Sequence, residues 1–211
     1  MKFSIIISNT SRSLSYLKGL KKNNLTPNEI FHIDNGSNVK ISKQLKKVGL
    51  TFNKVKMRCF KLPSLKKRVA KNILKSKTKN IIYSGYPGEI IKDQILLKNK
   101  NIIHSHPGKL PMFKGSTTIY YSLLESGKIF CSTIILGKNL DSGRLLFLKK
   151  YKLPKNIKLI DESYDNYIRT NNIIYVIKNF NKIRPKKQKS NKFSPYYVAH
   201  PILRSIVFNN F

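Results

Sequence analysis

The sequence predicts an α/β fold built on a mostly parallel sheet with helices on both faces. Three observations carry this. Short β-branched apolar runs alternate along the chain with segments of helical period. The runs end in turn residues, as in Asp34-Asn35-Gly36 and Ser84-Gly85-Tyr86-Pro87-Gly88. The chain has 211 residues, 40% of them hydrophobic. That suffices for a core, because a chain of this size hides roughly 70% of its unfolded surface.

Taken in order, residues 3–7 form an apolar strand, and residues 13–22 follow with Leu14, Leu17 and Leu20 at helical spacing. Residues 29–33 are a second strand, which completes a β–α–β start. Residues 42–48 form a second helix. Residues 63–77 form a third, with Leu65, Val69, Ile73 and Leu74 on one face. A strand at 80–83, a short helix at 90–97 and a strand at 101–103 lead into His104. A helix at 117–126 and strands at 129–136 and 144–149 follow. The last helix, 164–180, presents Tyr167, Ile168, Ile174, Val176 and Ile177. A basic linker at 183–192 and an apolar tail at 196–211 complete the chain, the tail docking on the domain. The division is one domain over 1–155, then a C-terminal helix, linker and tail over 156–211. In such sheets ligands sit at the carboxyl ends of the strands, here the loops 84–88 and 104–115. The turn Ser8-Asn9-Thr10-Ser11-Arg12 after the first strand has no glycine, so the dinucleotide fingerprint is absent and no NAD or FAD is inferred.

Charge sets the chain apart. Lys and Arg total 42, Asp and Glu 9, for a net charge of +33. Such a surface attracts nucleotides, phosphosugars, RNA or acidic lipid headgroups. The Lys residues are also spread along the whole chain, the pattern of a compositional drift, and composition leaves both readings open. With so few acids, any acid at a chemically sensible place is informative. Cys59 and Cys131 form neither a disulfide framework nor a zinc spacing. No stretch approaches the ~20 apolar residues of a membrane span. A reducing cytoplasm is the expected location.

The chemistry-bearing stretch is His104-Ser105-His106-Pro107-Gly108-Lys109-Leu110-Pro111-Met112-Phe113-Lys114-Gly115, followed by Asn139-Leu140-Asp141-Ser142-Gly143. Two His residues two apart at a strand end face one side. A His and an Asp on neighbouring strand ends make an oriented pair suited to acid–base work. His-x-His is also half a metal site, but no third His or Cys lies at a suitable spacing. Asp141 before Ser-Gly is also an ordinary turn residue. Residue types alone leave these alternatives open.

Residues 106–115, His-Pro-Gly-Lys-Leu-Pro-Met-Phe-Lys-Gly, resemble the His-Pro-x-x-Leu-Pro-x-x-x-Gly segment of folate-dependent formyltransferases. Residues 132–146, with Leu-Asp-Ser-Gly at their centre, resemble that family's second signature, and Ser84-Gly85-Tyr86 resembles its pterin-side loop. The resemblance implies a Rossmann-like formyltransferase fold and N10-formyltetrahydrofolate as co-substrate, with no metal. It implies His106 and Asp141 as catalytic. The family's Asn falls at position 104, where this chain has His104. An imidazole also donates to a developing oxyanion. The resemblance further implies folate contacts from Ser84, Gly85, Tyr86, Gly88, Leu110, Leu136 and Leu140, and acceptor contacts from Lys109, Pro111, Lys114 and Gly115.

Three acceptor classes follow from the resemblance. The stretch after Pro154 is short for the β-rich RNA-binding domain usual in methionyl-tRNA enzymes. The glycine-free first loop lacks the phosphate loop of glycinamide ribonucleotide enzymes. A small amine remains, expected to be a nucleotide-linked amino sugar, and residues 115–121 look like the sugar-enzyme type. A homodimer is left open. The opposing class is the same fold used to bind nucleic acid.

Overall fold

The computed structural model describes residues 1–36, 41–47, 52, 55–189 and 194–211. Val48 of the expected second helix and residues 190–192 of the expected linker lie outside the described residues. The chain groups into two compact units, Met1–His104 and Ser105–Phe211.

In the first unit the elements are β1 (Phe3–Ser8), α1 (Ser11–Lys22), β2 (Glu29–Asp34), α2 (Ile41–Lys47), β3 (Lys56–Lys61), α3 (Lys67–Lys75), β4 (Asn80–Ser84) and α4 (Gln94–Asn99), and β5 (Asn101–His106) runs across its end. The strands pair in the order β3-β2-β1-β4-β5, all parallel. Ile5 on β1 is opposite Ile30 on β2 and Ile82 on β4. All six residues of β1 are buried, which a strand achieves only with cover on both faces. α1 starts where the Thr10 hydroxyl accepts the Ser13 N–H, and it buries Tyr16, Leu17 and Leu20.

The second unit contains α5 (Thr118–Ser126), β6 (Ile129–Leu136), β7 (Gly143–Tyr151), α6 (Asp165–Asn179), β8 (Lys186–Lys187) and α7 (Pro201–Asn210). β6 and β7 form an antiparallel hairpin, and β8 adds to β7. The core joins Ile119, Tyr120 and Leu123 of α5 to Ile129 and Cys131 of β6, Ile168 of α6 and Val207 of α7. Of the apolar tail, Ala199 and Val207 are buried in this core, while Tyr197, Val198 and Ile202 are exposed.

The α/β class and the predominance of parallel pairing are as expected. Strand β3 is not among the expected elements. Its Lys56-Met57-Arg58-Cys59-Phe60-Lys61 has no apolar run, because it is an edge strand exposed along one side. The expected helices at 63–77 and 90–97 begin later than expected: α3 starts only after Lys66, which is extended (φ −87°, ψ 170°), and α4 only after Asp93, whose carboxylate accepts the Leu96 N–H.

Candidate active site

The loop after β5 is built on backbone accounting. Pro107 has no N–H, so strand pairing stops there. The Gly108 N–H closes a tight turn on the His106 carbonyl at 3.0 Å. Two hydroxyls then hold the loop. Ser132 of β6 accepts the Leu110 N–H at 3.1 Å and donates to the Gly108 carbonyl at 2.6 Å. Thr118, first residue of α5, donates to the Pro107 carbonyl at 2.7 Å. Behind the loop, Ser105 gives its carbonyl to the Arg169 guanidinium at 2.7 Å, and Arg169 is fixed by Asp165 at 2.8 Å.

This loop positions His106, which is 2% exposed. Nε2 lies 2.6 Å from the Phe113 carbonyl oxygen. A carbonyl only accepts, so Nε2 carries the proton and Nδ1 is the lone-pair nitrogen of the neutral ring. Nδ1 faces Asp141 Oδ1 at 3.5 Å. Burial pushes the His106 pKa below its usual value. The Asp141 carboxylate and the Phe113 carbonyl oppose that shift, and the Arg169 guanidinium adds to it. The lowered pKa favours the neutral ring, and the Phe113 contact selects the tautomer that leaves Nδ1 as a base.

Asp141 sits in the hairpin between β6 and β7. Its Oδ2 accepts the Gly115 N–H at 2.7 Å and its carbonyl accepts the Gln188 side chain at 3.1 Å. Its φ is +46°, a left-handed conformation that Asp and Asn tolerate better than most residues. The next turn residue but one, Gly143 (φ +121°), has no room for a side chain, because a Cβ there would strike the Ile135 carbonyl. The two signature loops, far apart in sequence, thus meet within the second unit.

The other expected residues fall as follows. His104 stands two residues before His106 on β5, half-buried, its ring 6.0 Å from that of Tyr83. Strand alternation sets it on the same face as His106. Leu110 is buried, Leu136 half-buried at the end of β6 and Leu140 exposed. Lys109 places its ammonium 5.5 Å from the centre of the Phe130 ring, a cation–π contact. Pro111 and Lys114 are half-buried, and Gly115 is bracketed by the tail: Tyr196 donates its N–H to the Lys114 carbonyl at 2.8 Å and accepts the Ser116 N–H at 2.9 Å. In the first unit, Ser84 bonds the Ser13 hydroxyl at 2.8 Å, and the Gly85 carbonyl accepts the Arg12 guanidinium. The Tyr86 hydroxyl donates to the Ile33 carbonyl at 3.1 Å and accepts the Asn35 N–H at 3.1 Å. It ties strand ends together. Gly88 has φ +74° and open space around it.

Several residues that complete the site are not legible in the sequence: Phe113 through its carbonyl, Gly108, Thr118, Ser132, Arg169 and Tyr196. Backbone acceptors leave no mark on residue type, and Arg169 is one of many basic residues. The first unit also holds a buried chain of side chains missed in the sequence. His32 Nε2 meets Asn9 Oδ1 at 2.8 Å, and Asn9 donates to Asp34 at 2.7 Å.

No family model matches the chain. The methionyl-tRNA formyltransferase of Finegoldia magna is 32% identical over 128 residues, 58% of this chain and 41% of that protein. The chain thus spans about two fifths of that curated relative. Among solved structures, glycinamide ribonucleotide transformylase 1 from Symbiobacterium toebii matches with a TM-score of 0.63 at 14% identity, covering 89% of this chain and 94% of that one. An N-formyltransferase from Helicobacter canadensis, in complex with folinic acid and dTDP-3-aminofucose, matches with a TM-score of 0.58 at 16% identity, covering 93% and 71%. The fold is the formyltransferase fold, and the chain resembles folate-dependent formyltransferases in its fold and in both signature segments. No helix among the described residues is long and apolar enough to cross a membrane.

Proposed function

We propose that the chain transfers a formyl group from N10-formyltetrahydrofolate to the primary amine of a nucleotide-linked amino sugar. The observation that carries this is the His106–Asp141 pair, buried in the loop with one ring tautomer selected by Phe113. The acceptor amine attacks the formyl carbon and its proton passes to His106 Nδ1. The new imidazolium then lies between two acceptors, the Phe113 carbonyl and the Asp141 carboxylate. As the bond from carbon to the folate nitrogen breaks, that nitrogen takes the proton. His104 donates to the formyl oxygen as negative charge builds on it.

The amino-sugar acceptor is supported by the ligands of the Helicobacter canadensis structure. The Finegoldia magna relative favours a second reading, methionyl-tRNA as acceptor. One assay tests both. The chain is mixed with N10-formyltetrahydrofolate and, separately, with dTDP- and UDP-linked amino sugars and with methionyl-tRNA, and tetrahydrofolate release is followed. Turnover with one amino-sugar nucleotide is expected. Turnover with methionyl-tRNA alone selects the second reading, and none with any acceptor overturns both.

A further inference from the structure

We propose that the outward face of α3 is a docking surface for the phosphodiester backbone of single-stranded nucleic acid. It lies in the first unit and is independent of the formyl-transfer reading. At 100° per residue, Lys67, Lys71, Lys75 and Arg68 fall at about 0°, 40°, 80° and 100° around the helix, so all four cations share roughly one quarter of its circumference. Val69, Ala70 and Ile73 are buried on the opposite side. Lys67, Arg68, Lys71 and Lys75 are exposed and, with Asn72, line one groove.

This cluster has two features that suit an anionic partner. First, it is uncompensated: among the described residues none of the four cations forms a salt bridge, and Glu29 of neighbouring β2 is paired with Arg58 at 3.0 Å. Like charges at Lys67/Lys71 and Lys71/Lys75 sit four residues apart, which destabilises a helix. An anionic ligand removes that repulsion. Second, it is periodic. Successive lysines are about 6 Å apart along the axis. One stacked strand advances roughly 3.4 Å per nucleotide, so each lysine meets about every second phosphate.

A lipid surface fits less well, because among the described residues α3 exposes no large apolar side chain for insertion between headgroups. No aromatic side chain belongs to the helix, so binding is to the backbone and independent of sequence.

The test is fluorescence anisotropy with a labelled oligouridylate across a salt series. The variant Lys67→Gln/Lys71→Gln/Lys75→Gln keeps good helix formers throughout, and circular dichroism checks its fold. The control is Lys98→Gln/Lys128→Gln/Lys150→Gln, three exposed lysines elsewhere with the same change in charge. The parent is expected to bind with a steep salt dependence. The α3 variant should flatten the slope of log K against log salt by about 2, at about 0.7 for each phosphate left without its lysine, while the control stays near the parent. Equal weakening by the two triple variants shows that total charge alone binds the strand and overturns the proposal. So does a parent that ignores the oligonucleotide, or one that binds phosphatidylglycerol vesicles in its place.

Discussion

The Asp141 carboxylate accepts the Gly115 N–H at 2.7 Å with one oxygen while the other faces His106 Nδ1 at 3.5 Å. One side chain therefore closes the loop after β5 and supplies the charge beside the imidazole. A change that keeps the first role and removes the second separates structure from chemistry.

Asp141→Asn is that change. Asn tolerates the φ of +46° and its carbonyl oxygen still accepts from Gly115. The melting temperature should stay within a few degrees of the parent, while turnover falls by orders of magnitude. His106→Ala combined with Asp141→Asn should be little worse than the poorer single change, because the two act as one device. Losses that multiply would show independent roles. Asp141→Ala should also lose stability, by about 1–3 kcal/mol, through the orphaned Gly115 N–H.

Gly108 offers a second probe. A Cβ there would lie 2.7 Å from the Phe113 carbonyl oxygen and 2.9 Å from both His106 Nε2 and Thr118 Oγ1. It would intrude on the hydrogen bond that fixes the tautomer. Gly108→Ala should cost about 1–3 kcal/mol by overpacking and depress turnover. Thermal melts and initial rates of the variant against the parent decide it.

The pH dependence follows from two buried rings. Burial pushes the pKa of His106 and of His32 down, against Asp141 and Asp34 respectively. Below about pH 6.5 the unfolded chain takes up protons that the folded protein resists. Stability contributed by these rings is full above that pH and is lost as pH falls towards the lowered folded values. Denaturant midpoints should decline between about pH 7 and 5, and His32→Asn or His106→Asn should flatten the decline. Turnover should fall on the same side, as Nδ1 of His106 is filled by a proton. A parent midpoint that stays level over this range contradicts the account.

His104 is tested by two substitutions. If its ring donates to the formyl oxygen, His104→Ala should lose about 10²–10³ in turnover, and His104→Asn should keep or raise it. An alanine variant as fast as the parent removes His104 from the reaction.

His106 and Asp141 were legible through the two signature segments that hold them; residue types alone, even with Asp141 one of only nine acids, left a turn residue or half a metal site open. The commitment of Nε2 to Phe113 was not, since it depends on a carbonyl that any residue at 113 provides. Tyr86 shows the reverse limit. Its place in a strand-end loop reads as a ligand contact, yet its hydroxyl is engaged by the backbone at Ile33 and Asn35. The central strands were legible because burial on both faces demands continuous apolar runs. β3 was not, because an edge strand tolerates Lys, Arg and Cys on its open side.

Tyr196 clasps the backbone on both sides of Gly115, whose own N–H reaches Asp141. That gives the loop a history. A growing chain that has not yet reached residue 196 has both signature segments in hand but lacks the backbone bridge that splints residues 114–116 of the first. That splint forms only after residue 196 has emerged and returned to the loop.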